Sequence, residues 1–104
     1  MTHFTTLDPV KLLRTAEVLK SIAHPVRLQV LEALAKQDNL CVSELQLVIK
    51  EDVEQSLLSH HLIRMKKRGI LKSEKNGLNV MYSLVDKNIT SIFECMKSCR
   101  LMYD

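Results

Sequence analysis

Between Arg68 and Ile70 the apolar residues of this 104-residue chain change their period, and Gly69 stands at the change. Upstream, apolar side chains recur three and four positions apart, the spacing that gives a helix one buried face. Downstream they alternate. ILKSEK and VMYSL flank Asn76-Gly77, a dipeptide that favours a tight hairpin turn. Such an order predicts a helical body carrying one small antiparallel hairpin. The chain holds only two glycines and two prolines, which argues against an all-β fold and against linkers.

The helix boundaries follow from capping chemistry. Asp8-Pro9 opens a first helix: an acceptor side chain at the N-cap, then proline where a missing N–H costs nothing. Val10, Leu13, Ala16, Leu19 and Ala23 continue it at helical spacing, with Leu12 and Ile22 widening the stripe. His24-Pro25 interrupts, because the residue before proline avoids the α region. A second helix starts at Pro25, with Leu28, Leu31, Leu34 and Ala35 as its apolar face. Ser43 and Gln46 read as a capping box opening a short third helix, with Leu45, Val48 and Ile49 inside. A fourth helix is expected from about Glu54 to Arg68, stopped by Gly69. In the hairpin, Val80, Tyr82 and Leu84 share one face. Asp86 caps a last helix whose stripe is Ile89, Ile92, Phe93, Met96 and Tyr103.

With Leu58 at the centre of the buried face of the fourth helix, Leu62 and Met65 fall within about 40° of it. Ser56, His60, Ile63 and Lys67 point away, flanked by Ser59 and Arg64. The net charge of +3 identifies no partner by itself, but Arg64, Lys66, Lys67, Arg68, Lys72 and Lys75 are opposed locally only by Glu74. A charge run is most often a solvated face. Here it follows a short capped helix and a tight turn, the spacing of a helix-turn-helix. Its outward residues are types that reach base edges in a major groove, and the hairpin can act as a wing. His61 lies about 60° from the buried centre. It is expected to pack and to hydrogen-bond rather than share a metal with His60, since adjacent helical residues diverge by about 100°.

LKSIAHPVRLQVLEAL resembles the second-helix signature of the ArsR/SmtB family of winged-helix repressors, and CVSEL resembles that family's entry to its third helix. QSLLSHHLIRMKKRGIL resembles its recognition helix and NGLNVMYSL its wing. The resemblance implies a mainly α, winged helix-turn-helix fold of order α-α-α-α-β-β-α. It also implies a homodimer that binds an inverted-repeat DNA operator, as a repressor released by an effector. The chain then forms a single domain over 1–104, with the helix-turn-helix at about 43–68 and the wing at about 70–84. The dimerisation helices fall at about 8–23 and 86–103, with Leu12, Ile89, Ile92, Phe93, Met96 and Tyr103 in the interface. Gln55, Ser56, Ser59, His60, Ile63, Arg64 and Lys67 would contact DNA from the recognition helix, and Lys75 and Asn76 from the wing.

The resemblance implies that a metal or arsenic sensor could sit at one of several places, of which two can be compared with this chain. A cysteine pair entering the third helix is here Cys41-Val42-Ser43, with half the pair missing. An aspartate with three histidines near the C-terminus is here Asp86, Asn88, Cys99 and Met102, with every histidine gone. What remains is Cys95, Cys99 and Met102, one soft ridge of the expected last helix. It would suit copper(I), arsenite or a thiol-redox signal. Packing is the favoured reading, because two thiols alone seldom complete a site. No cofactor is otherwise implied.

Other functions fit less well. An enzyme is not expected, since the sequence shows neither a glycine-rich phosphate loop nor a nucleophile with an evident base. A winged helix that binds only protein is the alternative, disfavoured by the outward serines and cationic wing. RNA binding lacks an aromatic platform, with two Phe and two Tyr in the chain. Lacking an apolar run near ~20 residues or a signal-peptide pattern, the chain is expected in the cytoplasm, without a membrane partner. Three cysteines are read there as thiols rather than a disulfide framework.

Overall fold

The computed structural model describes residues 6–102. Helices α1 (Pro9–Ile22), α2 (Pro25–Lys36), α3 (Val42–Val48) and α4 (Gln55–Lys67) are followed by strands β1 (Leu71–Asn76) and β2 (Asn79–Leu84). The 3-10 turn Lys87–Thr90, helix α5 (Ser91–Lys97) and the 3-10 turn Arg100–Met102 complete the order. This is the helical body with one hairpin that the change of period predicts, in the winged helix-turn-helix order that the family resemblance implies.

The caps set the helix ends. Asp8 accepts from the Lys11 N–H at 2.8 Å, and His24 Nδ1 accepts from the Val26 N–H at 3.1 Å. Asn39 adopts φ 61°, a left-handed conformation that asparagine tolerates, and it turns the chain out of α2. The cap of α3 differs from the expected Ser43 box. Cys41 is the N-cap, and the Glu44 carboxylate accepts from its backbone N–H at 3.0 Å. A charged acceptor on the first orphan amide outweighs the neutral Gln46, whose Nε2 instead donates to the Val53 carbonyl at 2.9 Å. That bond fixes the turn between α3 and α4.

The core runs through the middle of the molecule. Val30, Leu31 and Leu34 of α2, Leu45 of α3 and Leu58, Leu62 and Met65 of α4 are fully buried, and Leu71, Tyr82 and Leu84 close it from the hairpin. The α2 face is therefore turned relative to the expected one: Val26 and Val30 are inside, while Leu28 is half-buried and Ala35 exposed. Val48, expected inside α3, is also exposed, because α3 meets the core chiefly through Leu45 and Ile49. Leu40 adds a bridge to the hairpin, exchanging backbone bonds with Tyr82 at 3.1 and 2.9 Å. That bridge ties the entry of α3 to the wing.

Of the two terminal elements, the last departs from expectation. Helix α1 contributes Ile22 and Ser21 to the interior, while Val10, Leu12, Leu13 and Leu19 stay exposed. The last helix does not run unbroken to residue 103: α5 ends at Lys97, and Cys99 and Met102 bond back three residues in 3-10 fashion. A seven-residue helix with little tertiary support has too few bonds to propagate further. Ile89, Ile92 and Phe93 are half-buried against the protein's own core, Met96 is half-buried, and Tyr103 lies outside the described residues.

Gly69 joins the two halves. The Gly69 N–H donates to Lys66 O at 2.9 Å and the Ile70 N–H to Met65 O at 3.0 Å, the paired bonds of a Schellman motif. At φ +80° no L side chain sits comfortably, although a Cβ there would meet no atom within 4 Å. The hairpin turn is Gly77-Leu78, one residue later than the expected Asn76-Gly77, since Asn76 pairs with Asn79. With φ positive at Gly77 but not at Leu78, it is a II′-type turn. Gly69→Ala is expected to lower stability by about 1–2 kcal/mol from the left-handed conformation alone, and Gly69→Asn by less. Urea unfolding midpoints check both. Equal loss in the two variants would point to a steric cause instead.

Candidate nucleic-acid interface

The direction of every α4 side chain follows from the burial of Leu58, Leu62 and Met65. Gln55, Ser56, His60, Ile63, Arg64 and Lys67 are exposed, and Ser59 is half-buried. Ser56, Ser59, His60, Ile63, Arg64 and Lys67 thus lie on the outer side or flank of the helix, as the helical angles predict, while Gln55 is exposed as the first residue of α4. His60 is not independent of its neighbour: Arg64 Nε donates to His60 Nε2 at 3.3 Å, one turn along. This bond holds the imidazole as an acceptor and aims the guanidinium beside it.

The wing completes a cleft. Gln55, Ser59 and Ile63 line a cavity of about 250 Å³ together with Leu78, Asn79 and Val80. Its inner wall includes Cys41, whose Sγ lies 3.2 Å from Ser43 Oγ. Lys75 and Asn76 are exposed on the hairpin outside this cleft. Leu78 stands fully exposed at the hairpin tip. The sequence reading missed it, although an apolar residue at the second position of a tight turn was a visible signal. Arg64, Lys66, Lys67 and Arg68 lie at or next to the C-terminal end of α4, where cations also suit the helix dipole.

Behind the outward face sits a second feature that the sequence reading did not identify. His61 is buried, and its Nδ1 accepts from Arg27 Nε at 3.0 Å. Arg27 Nη1 also donates to the Ser21 carbonyl at 2.8 Å, so one guanidinium ties the end of α1 to the inner side of α4. The His24 ring lies 4.5 Å from that of His61, tilted by 47°. Burial holds the His61 pKa below the usual histidine value, and the neighbouring His24, Arg27 and His60 push it the same way. His61 therefore packs and hydrogen-bonds, as its angle on the helix predicts. Among the described residues no group of three or more His, Cys, Asp or Glu is placed to hold a metal ion. Cys95 is exposed on α5, while Cys99 lies past its end and is half-buried, so the expected ridge of soft donors is broken.

Known proteins share this arrangement. The pattern described as "Bacterial regulatory protein, arsR family" matches residues 24–73, which include α2, α3 and α4. An uncharacterised HTH-type transcriptional regulator of Methanocaldococcus jannaschii, MJ1325, is 35% identical over 81 residues, covering 78% of this chain and 89% of the relative. The cadmium resistance transcriptional regulatory protein CadC of Listeria innocua is 33% identical over 75 residues, 72% of this chain, which spans only 61% of CadC's own length. The crystal structure of the transcriptional repressor PagR of Bacillus anthracis superposes with a TM-score of 0.72 at 31% identity, covering 86% of this chain and 99% of PagR.

The buried imidazole gives the scaffold a pH dependence of known sign. A histidine whose pKa is lower in the folded state binds more protons when unfolded, so stability rises with pH between the two values. This contribution is complete above the unfolded histidine value of about 6.5 and is lost as pH falls through the folded one. Urea midpoints should therefore drop from neutral pH towards about pH 5, with a shallower drop in His61→Gln. Parallel profiles for the two proteins would show that His61 contributes nothing to the slope.

Proposed function

Since the chain belongs to the bacterial arsR family of DNA-binding transcriptional regulators, we propose that it acts as a homodimeric repressor that reads an inverted-repeat operator with α4. The family and fold are those of transcriptional regulators and not of enzymes. The observation that carries this reading is the outward face of α4, which sets Ser56, Ser59 and His60 beside Arg64 and Lys67. Small polar groups there suit base edges in a major groove. The cations, with Lys75 and Asn76 of the wing, suit phosphates, which add affinity without sequence information. The relatives lend no support to the alternative of a winged helix that binds protein alone.

The exposed apolar side of α1 supports the dimer. Val10 is 72% exposed and Leu13 63%, and Leu12 lies on the same helix. A monomer seldom leaves such a stripe to water. Ile89, Ile92, Phe93 and Met96, each half-buried, would complete the interface from the C-terminal segment. A DNA-bound repressor works in the cytoplasm, and among the described residues no helix is long and apolar enough to cross a membrane.

An effector at Cys95 and Cys99, such as arsenite or a soft metal ion, would need further donors, which a second subunit could supply, because the described residues of one chain bring too few together. That CadC is a cadmium resistance regulator supports a soft ligand of this class. Packing remains the simpler role for Cys99, which is half-buried.

Binding measured across salt concentrations separates the roles on α4. Ser59→Ala and His60→Ala are expected to relax sequence preference, each base contact being worth about 1–3 kcal/mol. Lys67→Ala is expected to weaken all duplexes alike and to reduce the salt slope by about one. A Lys67 variant that changes preference, beside a His60 variant that does not, would reverse the assignment of faces.

A further inference from the structure

A recess opens where α1, α2 and the end of α4 meet. It measures about 280 Å³ and is lined by Glu17, Lys20, Ser21, Arg27, Arg64 and Arg68. Four cations thus face one carboxylate. Among the described residues the ion pairs are Lys87 with Asp38 and Lys97 with Glu94, so Glu17 neutralises none of the four within 4 Å. Placement at the end of a helix accounts for Arg64 and Arg68 on its own. It accounts likewise for Lys20 in the last turn of α1, but not for Arg27, which lies in the first turn of α2, where the dipole disfavours a cation, and turns to the same space.

From this convergence we infer that the recess seats a phosphate group, held by the guanidinium groups of Arg27, Arg64 and Arg68 with Lys20 at its rim. Guanidinium groups match phosphate oxygens in charge and in fork geometry. Arg27 is already oriented for the task, its Nε fixed on His61 and one terminal nitrogen on the Ser21 carbonyl. Burial lowers its pKa, and Arg64 and Arg68 lower it further, a crowding that a bound anion relieves. An anion there would brace α1 against α4 through the same arginine. Two sources supply this chemistry, a small soluble phosphate compound and the backbone of the bound duplex.

The test uses the full chain in two arms. In the first, inorganic phosphate is titrated into DNA-free protein at constant ionic strength, with chloride as balance, and binding is read by calorimetry and by the imidazole resonances of His61. Saturable binding that weakens about tenfold or more in Arg68→Gln, and again in the surface variant Lys20→Gln, identifies the soluble source. In the second arm, duplex binding is measured against salt. Loss of about one unit of slope in each variant, without phosphate binding by the free protein, identifies the DNA backbone. The Lys20 variant guards against a folding defect in Arg68→Gln, and circular dichroism checks both. If neither variant alters phosphate binding or the salt slope, the recess seats no phosphate and the proposal fails. Because the first arm contains no DNA, its result stands apart from the operator-binding reading.

Discussion

Leu58, Leu62 and Met65 lie against the aliphatic face of α2 with no exposed surface. Burying each such side chain is worth about 1.5–3 kcal/mol, far more than any single surface contact of α4. Their burial fixes the rotation of the helix about its axis, so the side chains that face outward are set by the ones that face in. Gly69 then fixes where the helix ends, and the Schellman bonds aim the chain directly into β1. The Leu40–Tyr82 bridge holds the hairpin from its other side. Reading head and wing are in this way two consequences of one packed core.

Arg27 connects that core to the first helix. Its bonds to His61 and to the Ser21 carbonyl cross from α1 to α4 without a carboxylate anywhere in the link. A neutral histidine is the partner that makes this arrangement possible, since it accepts from the guanidinium without adding charge. The helix proposed to read DNA and the helix proposed to pair subunits are joined by one side chain.

The parts legible in the sequence are those specified by local chemistry. Asp8-Pro9, His24-Pro25 and Gly69 each leave a signature within two or three positions, and the elements they bound stand where those signatures place them. The outward face of α4 was legible because three strong apolar residues fix one rotation. On α2 the pattern admits more than one face, since valines and leucines lie almost all round it, and packing chose Val26 and Val30 over Ala35. At α3 two overlapping caps compete, and the charged Glu44 decided for Cys41. The Arg27–His61 pair spans 34 positions, so no periodicity could announce it. The C-terminal stripe was real as a pattern, but α5 has too little to pack against to carry a helix to its end.

The central claim is that two copies present two α4 faces to one side of a duplex. Hydroxyl-radical footprinting on a duplex selected from random sequence by the full chain tests it directly. Two protected patches are expected on one face of the DNA, about 34 Å apart and centred on an inverted repeat. A single patch, or protection that does not repeat with the helical turn, would contradict it.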